Sequence, residues 1–181
     1  EIKKHYNEVM MQYEDKVMEH MAKSEDPVKT GIQYAMIGNY IDFGARITVT
    51  EEHLTELLNT PDRFVIDEKQ YEEFTEDLQK ARKLVYLTDN CGEIVMDKLL
   101  IRQIKKQYPD LELTVMVRGA EVINDATVED AMQVGMCDLA KVMPNGSDIA
   151  GTWIEEISEE AKAELEEADV IISKGQGNFK T

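Results

Sequence analysis

At 181 residues the chain can bury one substantial core, with room for a small helical appendage. Its 43% hydrophobic and 31% charged residues exclude a disordered polymer, and no apolar run nears the roughly 20 residues of a membrane span. A formal net charge of −17 excludes a nucleic-acid partner, which would require a basic face.

The first part of the chain, residues 1–82, reads as helical. Tyr6, Val9, Met10, Tyr13, Val17 and Met21 recur at three- and four-residue steps and predict one amphipathic helix. Asp26-Pro27 reads as an N-cap followed by a proline at the first helical position. The helix it starts carries Ile32, Ala35 and Met36 towards Gly38. There the run Gly38-Asn39-Tyr40-Ile41-Asp42-Phe43-Gly44 interrupts the apolar pattern. It is either a helix stop or a break that lends Asn39 and Asp42 to a site. Short helices over 51–59 and 68–83 follow, separated by Thr60-Pro61-Asp62.

Beyond residue 83 the period changes. A strand over 84–87 gives way to a helix over 93–107, a strand over 111–117, a helix over 128–133, a strand near 139–143, a helix over 158–167 and a strand over 170–173. Such alternation predicts a mainly parallel sheet with right-handed crossovers. The fold class is therefore α/β: a helical N-terminal part packed on a Rossmann-like, three-layer α/β/α sheet, which occupies residues 83–181. Seven acids stand against Lys162 between residues 155 and 167, at helical spacing, and predict a solvated face. Trp153 and the methionines read as core filling.

Three polar loops follow the predicted strands, where open α/β sheets bind their ligands. The first is Asp89-Asn90-Cys91-Gly92-Glu93. Asp89 and Asn90 offer hard oxygen ligands suited to magnesium or manganese, and the alternative is a plain helix cap. Its single glycine does not match a dinucleotide or S-adenosylmethionine fingerprint. Glu93 opens a helix, where the dipole favours it, and is also placed to act as a base or to accept from a substrate hydroxyl. In the second loop Arg118-Gly119 precedes Asn124-Asp125-Ala126-Thr127. Asp125 is a second acid able to converge on one cation, or an N-cap; Arg118 is an anion fork, or a surface arginine. The third is Lys174-Gly175-Gln176-Gly177-Asn178. Its glycines let the backbone approach an anion and its lysine adds charge, although it lacks the spacing of a Walker A loop. A phosphate among these acids faces repulsion of about 4 kcal/mol per pair at about 4 Å and an effective dielectric near 20, so an anionic substrate calls for a divalent metal. Cys91 reads as packing, and His5, His20 and His53 have no metal-ligand spacing.

Taken in order, Gly-Asn-x-Ile-Asp-Phe-Gly (38–44), Asp-Asn-x-Gly-Glu (89–93), Val-Arg-Gly (117–119), Ile-Asn-Asp-Ala-Thr (123–127) and Lys-Gly-Gln-Gly-Asn-Phe (174–179) resemble the metal-dependent damage-control phosphatases, also called the acidic-residue-methyltransferase-like family. The resemblance runs from about residue 30 to the end. It implies a metal held by Asp89, Asn90 and Asp125, with manganese, cobalt, nickel or magnesium as the cofactor. Asp89, Glu93 and Asp125 would be catalytic; Asn39, Asp42, Arg118, Lys174, Gly175, Gln176, Gly177 and Asn178 would bind substrate and phosphate. The implied reaction is hydrolysis of small phosphometabolites, sugar phosphates or damaged cofactor intermediates. Rival readings are an S-adenosylmethionine-dependent carboxyl methyltransferase and a non-catalytic metabolite-binding module. Family members begin further upstream, many with a cysteine pair, and continue well past the lysine-glycine loop. The expectation is therefore a chain truncated at both ends and incomplete at the C-terminus. Two cysteines, with no apolar leader in the first residues, lead to an expected cytoplasmic location. Nothing in the pattern sets an oligomeric state.

Overall fold

The computed structural model describes residues 1–41 and 50–179. Its N-terminal helices are α1 (Ile2–Met11), α2 (Glu14–Lys23), α3 (Pro27–Tyr40), α4 (Glu51–Asn59) and α5 (Glu68–Lys80), with a 3₁₀ turn at Pro61–Arg63. The single helix expected over the first residues is two helices. The chain tightens where Tyr13 N donates to Met10 O, only three residues back. Each half then buries its own pair, Asn7 and Met10 in α1 and Val17 and Met21 in α2. The N-cap of α3 is as expected: Asp26 accepts from Lys29 N at 3.1 Å and Pro27 occupies the first turn.

The remainder alternates: β1 (Lys83–Leu87), α6 (Glu93–Gln107), β2 (Glu112–Val117), α7 (Val128–Gln133), β3 (Lys141–Pro144), α8 (Glu159–Glu166), β4 (Val170–Ser173) and α9 (Gly175–Phe179). The four strands are parallel in the order β3-β2-β1-β4. Strand order reverses at β1, so the crevice beyond the carboxyl ends of β1 and β4 is a topological switch point, the usual ligand site of such sheets.

The period of two along β1 divides the core. Leu84 and Tyr86 face one apolar cluster with Ile94, Ile101, Met10, Met21 and Ile37, which draws on both the N-terminal helices and α6. Val85 and Leu87 face another, with Ile157, Ala161 and Leu165 around α8. The result is three layers. Helix α3 crosses α6 closely: a Cβ at Gly31 would come within 3.0 Å of Leu100 Cδ1. That crossing carries Asn39, in the last turn of α3, towards the start of α6. No helix among the described residues is long and apolar enough to cross a membrane.

Two expectations are corrected. Trp153 is 49% exposed and Met132 65%, both outside the core, although Met10, Met21, Met96 and Met136 are buried as expected. The acidic face of α8 is solvated except at Glu164, which is buried. It accepts from Thr114 Oγ1 and lies 3.1 Å from Lys83 Nζ and 3.2 Å from Lys141 Nζ. A carboxylate can be buried there because three donors meet it.

Candidate active site

The loops after β1 and β2 are joined through their backbones. Asn90 and Asp125 form an isolated antiparallel bridge and Arg118 and Thr127 a parallel one. Cys91 N donates to Asn124 O at 2.8 Å, and Ala126 N to Asp89 O at 2.8 Å. The turn into Asp125 is strained: Ile123, a β-branched residue 85% exposed, sits at φ 48. Asp125 N closes that turn onto Val122 O at 2.8 Å.

Side chains then converge over the joined loops. Asn90 Nδ2 donates to Asp89 Oδ2 at 2.8 Å and to Glu93 Oε2 at 3.2 Å. From α3, Asn39 Nδ2 reaches Asp89 Oδ2 at 3.2 Å and Glu93 Oε1 at 3.1 Å. Arg118 Nε donates to Asp125 Oδ2 at 2.6 Å, and Arg118 also donates to the Gly151 carbonyl. Gly175, at φ 79 after β4, presses on this cluster so closely that a Cβ would fall 2.0 Å from Asp89 Oδ2. Glycine is required there by both conformation and space.

Lys174 turns inward. Its three N–H groups, all that an ammonium has, donate to Ala35 O at 3.1 Å, Glu93 Oε1 at 2.5 Å and Asp97 Oδ1 at 2.7 Å. Burial opposes its charge, but Asp97 and Glu93 outweigh that and raise its pKa. Glu93 and Asp97 are both fully buried. Tyr86 donates to Asp97 Oδ1 at 2.6 Å, while Asp97 Oδ2 has no hydrogen-bond partner among the described residues. The tyrosine stays protonated, its pKa raised by burial and by Asp97.

Asn178 is likewise committed. Its Nδ2 donates to Thr88 O at 2.9 Å and Lys174 O at 2.8 Å, and its Oδ1 accepts from Thr152 Oγ1 at 2.8 Å. It ties the loop after β4 to the loop after β1. Gln176 is exposed and Gly177 half-buried. Asp42 lies outside the described residues. Cys91 is buried, and burial pushes its thiol up to about 12, which suits an inert packing residue.

The cluster carries more negative charge than it neutralises. Burial first, then Glu93 and Asp125, push the Asp89 carboxyl up to about 7 against the pull of Lys174. A divalent cation fits such a donor set: two carboxylates and an amide supply hard oxygens, and Asn90 gives its nitrogen to the acids, leaving its oxygen. Among the described residues no three His, Cys, Asp or Glu side chains group as metal ligands. The set proposed from sequence holds two such residues, Asp89 and Asp125, and relies on Asn90 for its third ligand.

Asp97 and Tyr86 were not among the expected site residues. One signal was available, since Asp97 stands four residues after Glu93, on the same face of a helix that is otherwise apolar there.

A family profile described as "Damage-control phosphatase ARMT1-like domain" matches residues 1–181. A protein of Archaeoglobus fulgidus named damage-control phosphatase is 35% identical over 182 residues, covering 99% of this chain and 62% of that protein. An uncharacterized protein of Methanocaldococcus jannaschii is 36% identical over 185 residues, covering 99% of this chain and 59% of its own length. The crystal structure of a duf89 family protein from Pyrococcus horikoshii matches with a TM-score of 0.80 at 33% identity, covering 98% of this chain and 61% of that one. The chain thus spans about three fifths of the length of these relatives.

Proposed function

Because the chain belongs to the damage-control phosphatase ARMT1-like domain family, we propose that it hydrolyses phosphate monoesters of small metabolites, sugar phosphates or damaged cofactor intermediates, with a divalent metal held by Asp89, Asn90 and Asp125. One observation carries the reading. Two strand-end loops bring Asp89, Asn90, Glu93 and Asp125 together with Asp89 pushed up to about 7, a charge excess that a cation relieves. An oxygen-only set suits magnesium and manganese, and the family resemblance adds cobalt and nickel as candidates. When bound, such an ion neutralises a phosphoryl oxygen and acidifies a water.

The chain's own residues supply orientation and proton handling. Asn39 and Asn90 fix Asp89 and Glu93 through their amide hydrogens. Lys174 holds the Glu93 carboxyl in place, and Glu93 is the group assigned to take the proton from the attacking oxygen. Arg118 orients Asp125. Gly175 and Gly177 bring backbone close to the transferred phosphoryl group. Both cysteines are free, which supports a reducing, cytoplasmic setting.

The test is phosphate release from a panel of sugar and cofactor phosphates, after metal stripping and re-addition of manganese, cobalt, nickel or magnesium. Asp89→Ala is the control. Metal-dependent release that the variant loses is the expected result. A folded wild-type chain that releases no phosphate with any of the four ions overturns the reading.

A further inference from the structure

Asn7 lies in α1, far in sequence from every residue of the site, and it is fully buried. All its hydrogen-bonding groups are used. Its Oδ1 accepts from Gly92 N at 2.6 Å; its Nδ2 donates to Asp130 Oδ1 at 2.9 Å and to Gln133 Oε1 at 2.8 Å. The groups it serves flank the two joined loops. Gly92, at φ 73, is the N-cap of α6, whose first residue is Glu93, and it has no side chain with which to cap that helix. Asp130 closes the capping box of α7 onto Thr127, two residues after Asp125. Lys3, also from α1, pairs with Asp130 at 2.8 Å.

We propose that Asn7 is a positioning residue that sets the spacing between the Asp89-Asn90-Glu93 loop and the Asp125 loop. The proposal deepens the metal-site reading above and rests on it. A buried asparagine in place of an apolar residue gains a core nothing by packing, because desolvating its amide has to be offset by bonds. Here the bonds go to the N-cap of one site helix and to the first turn and last residue of the other. The joined loops already share the Asn90–Asp125 bridge and the Cys91–Asn124 bond, and Asn7 is a third tie from a separate helix. With the tie cut, Gly92 N at the start of α6 loses its acceptor and α7, still capped by Asp130 and Thr127, loses its link to it, so Glu93 and Asp125 lose one element of their common frame. Residues that orient metal ligands without touching the metal change affinity by about 10- to 100-fold when removed.

The experiment compares Asn7→Leu, the polarity-reversed pair N7D/D130N, and Leu78→Ala, which destabilises α5 at a buried position away from the site. Hydrogen exchange is followed over residues 88–95 and 118–128, alongside manganese titration and phosphate release, at a temperature where each variant is folded. Asn7→Leu is expected to speed exchange in both loops and to weaken manganese binding, each at least tenfold. Leu78→Ala, compared at matched global stability, should leave loop exchange and manganese affinity within twofold of wild type. N7D/D130N restores a donor facing an acceptor at position 130 but leaves Gln133 Oε1 without its donor, so it should recover part of both. Loop exchange in Asn7→Leu no faster than in Leu78→Ala overturns the proposal. A wild-type chain that takes up none of manganese, cobalt, nickel or magnesium overturns the metal-site reading, and the exchange comparison still decides whether Asn7 positions the loops.

Discussion

Replacing Lys174 with methionine asks what its ammonium is for. A lysine placed only to meet a phosphate is a lone cation in the free protein, and its removal leaves stability level or raises it. Here all three N–H groups are taken, two of them by Glu93 and Asp97, which are fully buried. Methionine keeps the length and burial of the stem but strands two carboxylates. Removing one partner of a buried ion pair costs about 3–5 kcal/mol, because an uncompensated charge stays behind. For a domain of this size each kcal/mol moves the melting temperature by about 2–4 °C.

Lys174→Met is therefore expected to melt roughly 6–20 °C below wild type in thermal scans run without metal or phosphate. Adding Asp97→Asn removes one stranded charge and should recover part of the loss. A Lys174→Met protein that melts at or above the wild-type temperature refutes the counter-ion role and returns the lysine to the substrate.

Three further outcomes are expected. Gly175→Ala places a methyl 2.0 Å from Asp89 Oδ2 at φ 79; it should lower stability by about 1 kcal/mol or more and weaken manganese binding, and a variant matching wild type in both urea unfolding and titration contradicts this packing. Ile123→Asn keeps an exposed position but suits φ 48 better; urea unfolding should show a gain of about 1 kcal/mol, and a loss would mean the isoleucine makes a contact that compensates its strain. Glu164 is desolvated, yet the bonds from Thr114, Lys83 and Lys141 outweigh that and hold its carboxyl below the ordinary glutamate value of 4.5. Its stabilisation is thus complete above that value and lost as pH falls through the lower folded value. Glu164→Gln should cost about 1.5–3 kcal/mol near neutrality, with the gap to wild type closing below pH 4.5; a gap that widens in acid reverses the sign and refutes the assignment.

What was legible in the sequence was local. The helix Glu93–Gln107 announces itself by its period and the glycine before it, and β1 and β2 by short apolar runs, so the parallel sheet and the loops beyond it follow. The convergence of Asp89, Asn90, Glu93 and Asp125 was legible because strand-end loops of a parallel sheet meet on one edge. The illegible features depend on partners far along the chain. Asn7 bonds Gly92 across 85 positions, Lys174 bonds Asp97 across 77, and Glu164 is buried by Thr114 fifty positions away. Glu164 read as part of a solvated face and Lys174 as a cation for a substrate anion, while Asn7 carried no local signal at all. Trp153 errs the other way: its size argued for the core, but its loop leaves it half in solvent.

The inward turn of Lys174 also sharpens the case for a metal. The cluster holds Asp89, Glu93, Asp97 and Asp125 against Lys174 and Arg118, and each of those cations is already bonded to an acid. Neither has a charge in surplus for a phosphate. A phosphate entering beside Asp89 or Glu93 would meet repulsion of about 4 kcal/mol from each ionised acid at about 4 Å and an effective dielectric near 20. Backbone amides after β4 offset only part of that, since α9 is a five-residue turn with little dipole to offer. One divalent ion balances the formal excess of two negative charges on these side chains. On this argument the expected activity without metal is not a slow basal rate that the ion improves but none that can be measured. Wild-type turnover after exhaustive chelation would show that some other cation of the chain meets the phosphate.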